Sequence, residues 1–171
     1  MNSSAAIPVS RKLRGSLDIA MGLLIVAAYI DLISGQVAEG TFTPETHFAY
    51  LTNQTSYFNI VVLIAGGILA WSKAVDTVLY ATVRANFTVY AMVVGLVYNW
   101  LLREPDHFDF HNEVTHVAIP IYLLADWIIR ARRPRIGWNT VWIGASYPLA
   151  WALITLVRGQ FVYWYPYFFL D

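Results

Sequence analysis

The sequence predicts an all-α integral membrane protein, a single helical bundle with five transmembrane spans. Of its 171 residues, 58 % are hydrophobic and only 13 % are charged, whereas soluble domains carry about 25 % charged residues. Five apolar stretches approach the roughly 20 residues that a helix needs to cross a bilayer core of about 30 Å. Lys and Arg also concentrate on one side of these stretches, as the loops of membrane proteins do.

The predicted spans cover residues 17–34, 48–70, 78–102, 114–129 and 138–157. The basic segment at residues 11–14 precedes the first span, which lacks a convincing signal-peptide cleavage site and is predicted to be retained. Arg84 falls in the first turns of the third span, where we expect its side chain to snorkel towards the lipid headgroups. Residues 160–171 are aromatic but too short to cross, so they are predicted to lie at the interface. No repeat or long linker is found, which predicts one domain over residues 1–171.

The distribution of charge along the chain predicts its orientation. The 11 Lys and Arg residues balance the 11 Asp and Glu residues. Nine of the cations adjoin one side of the predicted bundle, and only Arg103 and Arg158 adjoin the other, where seven acidic residues lie. By the positive-inside rule the N-terminus is cytoplasmic and the C-terminus is outside. Zero net charge argues against a nucleic-acid partner, and the absence of cysteine excludes disulfides and thiolate chemistry.

A stripe of polar side chains marks the second span. Thr52, Thr55, Ser56 and Asn59 recur at the i, i+3, i+4, i+7 spacing of one helix face. Because polar groups that face lipid are costly, this face is predicted to point into the bundle. Two interpretations remain open, since such residues either join helices through hydrogen bonds or form part of a reactive site.

The histidines suggest what that site would contain. All four histidines fall on the predicted outer side, and His116 lies at a depth similar to that of Thr52 on a different helix. A hydroxyl becomes a useful nucleophile when a positioned base takes its proton, and histidine suits that role near neutral pH. The alternative is that His116 is a structural hydrogen-bond partner within the membrane.

Other polar residues at the predicted outer ends of the helices are candidates for the same site. They are Asp31 on the first span, Asn99 and Arg103 on the third, and Arg158 after the fifth. The two arginines depart from the charge distribution, which indicates a specific partner, either a carboxylate such as Asp31 or an anionic ligand headgroup. An ordinary interfacial position for both arginines is the alternative.

Three sets of motifs then resemble a known membrane family. They are Tyr50-Leu51-Thr52-Asn53-Gln54-Thr55-Ser56; Thr115-His116 followed by Pro120 and Leu124-Ala125-Asp126-Trp127; and Tyr147-Pro148, Arg158-Gly159 and Tyr165-Pro166-Tyr167-Phe168-Phe169-Leu170-Asp171. In order and spacing they resemble the androgen-induced and androgen-dependent tissue-factor-pathway-inhibitor-regulating proteins, and more closely their prokaryotic relatives. Ser56 stands where relatives often have Asn, and animal members are usually drawn with six spans.

The resemblance implies a multi-pass threonine hydrolase in a prokaryotic cell membrane that cleaves fatty acid esters of hydroxy fatty acids without a cofactor. The threonine of the family corresponds to Thr52 and its histidine to His116. A lipid ester and the surrounding membrane lipids would be the partners, and oligomers are compatible with the sequence. The alternative is a non-catalytic lipid-binding or regulatory membrane protein.

Supporting roles follow from the chemistry of ester hydrolysis. Amide side chains stabilise an oxyanion in a water-poor site, so Asn53, Gln54 and Asn59 are candidates for that role. Asp31 is expected either to orient His116 or to pair with Arg103.

Two further expectations concern an acidic ligand and a metal. Arg103 or Arg158 is expected to hold a fatty-acid carboxylate. His107, Asp109 and His111 suit zinc, which leaves a metal-dependent hydrolase as a lesser alternative, although their spacing matches no known zinc motif and no metal site is predicted.

Overall fold

The computed structural model describes residues 7–72, 74–104, 108–130 and 133–171, and the regular elements in these ranges are all helices. The α-helices are α1 (Val9–Ala38), α2 (Pro44–Ala49), α3 (Leu51–Trp71), α4 (Val78–Val97), α5 (Phe110–Glu113), α6 (Ile119–Ile129) and α7 (Asn139–Val162). Turns of π-helix follow α4 (Tyr98–Leu102) and join α5 to α6 (Val114–Ala118), and a 3₁₀ turn (Phe168–Leu170) ends the chain.

Four helical segments in the described ranges are long and apolar enough to cross a membrane. They are α1, α3, α4 with its π turn, and α7. The predictions of an all-α fold and of a membrane protein are therefore confirmed at this level. The predicted span over residues 114–129 is a π turn followed by α6, which has 11 residues, and it is not one of these four segments.

Helix α1 begins earlier than predicted, at Val9 rather than at residue 17. The basic residues that were predicted to precede the span are part of this helix, and they have partners at the end of α3. Arg11 donates a hydrogen bond of 2.8 Å to the carbonyl of Leu69. The ammonium of Lys12 lies 5.2 Å from the ring centroid of Trp71. The N-terminal turns of α1 therefore pack on the C-terminal end of α3.

The second predicted span is interrupted at its start. Pro44 opens the six-residue α2, and Tyr50 then has an extended backbone (φ −71°, ψ 127°) that ends this helix. Helix α3 begins at the next residue, Leu51. The break places Thr52 in the first turn of α3, where backbone N–H groups have no partner within the helix.

Helices α1 and α3 pack antiparallel through small residues. A side chain at Gly67 would meet Ile19 and the carbonyl of Gly15, so glycine is what permits this close approach. The core then continues between α1, α3, α4 and the α5–α6 segment, around the fully buried side chains of Ile25, Leu63 and Leu123.

A buried group of charged side chains joins the N-terminal part of α1, the start of α4 and the C-terminal end of α6. Arg84 is only 1 % exposed, and its Nη2 lies 2.7 Å from Asp18 Oδ1 and 2.8 Å from Asp126 Oδ2. Arg130 adds contacts of 3.4 Å to Asp18 and 3.0 Å to Asp76. The expectation that Arg84 snorkels to the headgroups is wrong, because two carboxylates hold its guanidinium inside the bundle. We call Asp18, Asp76, Arg84, Asp126 and Arg130 the ion cluster.

Helix α7 packs lightly on the others. Its buried positions are small or polar residues, Thr140, Gly144, Thr155 and Gly159. Its hydrogen bonds to the α2–α3 region come from the Tyr147 hydroxyl, which donates to Gln54 Oε1 at 2.7 Å, and from Trp151 Nε1, which donates to the carbonyl of Ala49 at 3.0 Å. Much of the outer surface of α7 is therefore exposed and apolar.

The aromatic tail folds back on the bundle instead of only lying at an interface. Tyr163 ends α7 in the left-handed region (φ 51°), which reverses the chain as C-terminal caps do. Tyr165 then lies on Gly159, where any side chain would meet its ring. Two residues later Tyr167 reaches the first turn of α3. Tyr163 and Phe168 remain exposed.

Candidate active site

A cavity of about 340 Å³ lies at the end of the bundle where α3 begins. We call it the polar cavity, because polar side chains from every neighbouring segment reach it. Its lining includes Gln36 of α1, His47 of α2, Thr52 and Asn53 of α3, Tyr98 after α4, His111 of α5, His116 of the π turn and Tyr167 of the tail. Segments far apart in the sequence thus form one site.

Thr52 is buried at the wall of this cavity, with 8 % exposure. Its Oγ1 lies 3.2 Å from the hydroxyl of Tyr167, and its backbone N–H donates to the same oxygen at 3.4 Å. The break at Tyr50 leaves this N–H unused by the helix, so Tyr167 supplies its partner. Tyr167 also lines the cavity, and the sequence interpretation did not include it among the candidate site residues, although it stands in one of the motifs that carry the resemblance.

His116 has a defined orientation in the π turn between α5 and α6. Its Nδ1 lies 3.1 Å from Thr115 Oγ1, and that hydroxyl donates its own hydrogen to the carbonyl of His111 at 2.8 Å. Nδ1 is therefore the donor and carries the proton, which leaves the lone pair on Nε2. The ring also lies against Tyr98, with 4.0 Å between the ring centroids.

Thr52 and His116 face the same cavity, although no hydrogen bond joins them within the residues that the structure describes. The similar depths inferred from the sequence thus correspond to one shared space. The hydroxyl of Thr52 pairs with Tyr167, while Nε2 of His116 has no hydrogen-bond partner in the described part of the chain. Their catalytic roles remain a prediction.

The other members of the polar stripe are buried but do not line the polar cavity. Thr55 is 2 % exposed and donates to the carbonyls of Leu51 and Thr52, which ties its hydroxyl to its own helix. Ser56 and Asn59 are also buried, 7 % and 2 % exposed. The stripe therefore points into the bundle as predicted, but within the described residues only Thr52 and Asn53 of this region line the cavity from α3.

The three amides are less available for an oxyanion than expected. Asn53 accepts from the hydroxyl of Tyr29 at 2.9 Å and donates to the carbonyl of His47 at 2.7 Å. Gln54 points towards α7, where it accepts from Tyr147. Asn59 lies more than one turn further along α3, outside the cavity lining, and its Oδ1 is buried with no partner in the described residues.

The charged candidates at this end are arranged differently from the prediction. Asp31 is exposed and its side chain makes no described contact with His116 or Arg103, so the role assigned to it is wrong. Arg103 instead forms an ion pair with Glu113, ten residues later in the sequence. It also donates a hydrogen bond of 2.5 Å to Asn99 Oδ1. Asn99 donates at 3.0 Å to the carbonyl of His116.

Arg158 also lies away from the cavity. Its guanidinium stacks on the ring of Trp164, at 5.4 Å from the centroid. Neither Arg158 nor Arg103 is part of the described cavity lining. The expectation that one of them holds a substrate carboxylate in this site therefore finds no support in the geometry.

Two further histidines, His47 and His111, line the polar cavity and pack against two tyrosines behind it. Tyr29 packs edge-on against His111 and lies beside Tyr57, each with centroids 4.6 Å apart. His47 Nε2 lies 2.7 Å from the hydroxyl of Tyr57. Burial lowers the pKa of His47 and of His111, so both imidazoles are neutral at neutral pH. Burial raises the pKa of Tyr167, which keeps its phenol protonated.

The lesser alternative of a metal centre involves residues of the same region. His107 lies outside the described residues, and the carboxylate of Asp109 accepts from the backbone N–H of Asn112 at 2.7 Å. Among the residues that are described, no group of three or more His, Asp or Glu side chains is arranged to hold a metal ion. No protein-family model, curated protein or solved structure matches the chain.

Proposed function

We propose that this protein is a membrane-embedded hydrolase of lipid esters, with Thr52 as nucleophile and His116 as base. One observation carries the proposal: Thr52, His116 and Tyr167 line one cavity, and the hydrogen bond on Nδ1 of His116 leaves Nε2 as an acceptor. A hydroxyl nucleophile, an imidazole with a free lone pair and a hydrogen-bond donor for the oxyanion are groups that catalyse acyl transfer.

The first half of the reaction forms an acyl-enzyme. Thr52 Oγ1 attacks the ester carbonyl carbon while Nε2 of His116 takes the hydroxyl proton. The tetrahedral intermediate then breaks its bond to the leaving alkoxide, which receives that proton from His116 and departs as an alcohol. Acyl transfer to Thr52 is thereby complete, and His116 is neutral again.

Tyr167 is the best-situated donor for the oxyanion of this intermediate. Its hydroxyl is 3.2 Å from the attacking oxygen, so it is adjacent to any carbonyl bound at Thr52. Its hydrogen bonds with Thr52 are long, at 3.2 and 3.4 Å, and therefore weak. Replacing them with a hydrogen bond to the substrate oxygen would cost little free energy. Asn53 and Gln54 already bond Tyr29 and Tyr147 and are less suited to this step.

The second half releases the acid. His116 takes a proton from water, the resulting hydroxide attacks the acyl carbon, and the bond to Thr52 Oγ1 breaks as His116 returns the proton to Thr52. No cofactor is needed. The resemblance noted in the sequence supports fatty acid esters of hydroxy fatty acids as the substrate class.

The proposal includes five spans, with residues 114–129 as the fourth. Both ends of this segment have partners inside the bundle, since Asp126 is paired in the ion cluster and the carbonyl of His116 accepts from Asn99. Paired polar groups are what a membrane-crossing segment requires. With the basic loops on the cytoplasmic side of a cell membrane, the polar cavity would open towards the outer leaflet.

Active-site labelling tests the function directly. Protein purified in detergent would be treated with a fluorophosphonate and assayed on p-nitrophenyl butyrate and on a fatty acid ester of a hydroxy fatty acid. We expect labelling and turnover in the wild type and in Thr52→Ser, and a loss of at least about 1,000-fold in kcat/KM in Thr52→Ala. We expect His116→Gln to lose about 100-fold or more.

Thr55→Ala is the matched control, because Thr55 is a buried threonine of the same helix turn whose hydroxyl bonds only backbone carbonyls. This variant should keep both labelling and turnover. Equal turnover in Thr52→Ala and the wild type, with Thr52→Ala folded, would exclude the nucleophile. Turnover absent from every variant and the wild type would favour the non-catalytic lipid-binding alternative.

A further inference from the structure

A second cavity, of about 400 Å³, lies between α4 and α7. We call it the apolar cavity, because its lining is mostly aliphatic. Val89 and Val93 line it from α4, and Val141 and Ala145 line it from α7. Tyr90 also reaches it, but its hydroxyl already donates to the carbonyl of Gly144. Water would find few partners here, so the space suits hydrocarbon.

The local sequence of α7 explains why the two helices leave this space. Pro148 lacks an N–H, which frees the carbonyl of Gly144 one turn earlier. Tyr90 donates to that carbonyl at 2.5 Å, and Asn86 packs where a side chain at Gly144 would be. These contacts hold α7 against α4 at the position of Gly144. The small residues Gly144 and Ala145 leave the adjoining volume unfilled.

The apolar cavity is open at the side that faces lipid. Val89, Val93 and Val141 are each more than half exposed, at 56 %, 52 % and 57 %. A helix from another protein is about 10–12 Å across with its side chains, which is too bulky for a space of this volume. A flexible acyl chain is thin enough, and in a membrane it would enter directly from the surrounding lipid.

The first turn of α3 contributes to both cavities. Leu51 lines the apolar cavity, and its neighbour Thr52 lines the polar cavity. We propose that the apolar cavity binds the acyl chain of the ester substrate, which extends from the carbonyl at Thr52 past Leu51 and into the space between α4 and α7. This inference rests on the proposed function. The apolar cavity would then be the part of the protein that selects for long acyl chains.

Two filling variants test the inference from opposite sides of the cavity. Val93→Phe fills it from α4 and Ala145→Phe from α7. Val157→Phe is the control, because Val157 is similarly exposed on α7 at 51 % but does not line the cavity. The assay compares kcat/KM for p-nitrophenyl palmitate with that for p-nitrophenyl butyrate. We expect both filling variants to lose about tenfold or more on palmitate, while butyrate changes less than about twofold.

Equal losses on both esters, or unchanged palmitate hydrolysis in folded filling variants, would overturn the inference while leaving the Thr52-dependent activity intact. A second readout needs no turnover. A diazirine analogue of palmitate should crosslink to peptides of α4 and α7 in the wild type and in Val157→Phe, and less than about one fifth as much in Val93→Phe. Crosslinking elsewhere, or a second copy of the chain crosslinked across this face, would contradict the acyl-chain site.

The two proposals fail in different ways. If Thr52→Ala hydrolyses butyrate as fast as the wild type, the proposed function is wrong whatever palmitate does. If crosslinking still maps to α4 and α7 and is blocked by Val93→Phe, the acyl-chain site stands without the hydrolase.

Discussion

At the scale of single residues, Thr52 and Tyr167 show how the candidate site depends on the end of the chain. The two residues are 115 positions apart, and yet the tyrosine oxygen contacts both the hydroxyl and the backbone N–H of the threonine. Trp151 of α7 packs on the Tyr167 ring at 5.9 Å, and Phe169 stacks on it at 5.2 Å. These aromatic neighbours hold the ring of Tyr167 in place. The effect of its hydroxyl on Thr52 can therefore be tested without changing the packing of the ring.

Tyr167→Phe removes the hydroxyl and keeps the ring. We expect kcat to fall about 100-fold on p-nitrophenyl butyrate with little change in KM, because the donor acts on the oxyanion and not on the bound ester. The thermal midpoint should stay close to that of the wild type, since the packing against Trp151 and Phe169 is retained. Full activity in this variant would show that another group stabilises the oxyanion.

Arg84 is the residue whose loss should affect stability most directly. Arg84→Met leaves Asp18 and Asp126 buried with fewer positive partners, and removing one member of a buried pair costs about 3–5 kcal/mol. We expect a large drop in thermal midpoint in detergent, and partial recovery in Asp18→Asn/Arg84→Met because one unpaired charge is removed. Arg135→Met is the control at an exposed position and should change stability by less than about 0.5 kcal/mol. A stable single variant would contradict a structural role for the ion cluster.

At the scale of helices, the lengths of the apolar stretches predicted most of the architecture, but not the start of α1 or the break between α2 and α3. The apolar runs located four long helices, because the length of a continuous apolar stretch can be read from the sequence itself. The start of α1 was misplaced, since apolar length marks the membrane-crossing part of a helix and does not register basic residues such as Arg11 and Lys12, which extend it and contact Leu69 and Trp71. The break at Tyr50 was also missed, and that break sets the exposure of Thr52 to the cavity.

The junction of α4 and α7 gives a prediction at the same scale. Tyr90→Phe leaves the carbonyl of Gly144 without a donor inside the bundle, which costs about 1–3 kcal/mol. Pro148→Ala restores an N–H one turn after Gly144, so the double variant Tyr90→Phe/Pro148→Ala should recover much of that stability. Thermal unfolding in detergent measures both effects. Equal losses in the single and double variants would mean that the Tyr90 hydrogen bond is not what stabilises the junction.

At the scale of the whole molecule, the two ends of the bundle have different chemistry. The ion cluster occupies one end, and the polar cavity with three of the histidines occupies the other. Charge segregation along the sequence predicted that division, and the matched depths of Thr52 and His116 placed both residues at the end where the polar cavity lies. It could not predict Tyr167 or the pairing of Arg84, because both depend on which side chains meet after folding. The acidic residues Asp18, Asp76 and Asp126 at the basic end were the available signal for the ion cluster.

The histidines of the polar cavity make stability depend on pH. Burial lowers the pKa of His47 and His111 in the folded protein, and Asp109 and Asp31 offset only part of this effect at His111. Both residues therefore bind protons more readily when unfolded, and stability falls as pH drops below their unfolded pKa of about 6.5. The loss is at most about 1.4 kcal/mol per pH unit for each histidine. Thermal unfolding between pH 7.5 and 5.5 should show it, and His47→Gln/His111→Gln should flatten the profile. A double variant as sensitive to acid as the wild type would assign the effect to other groups.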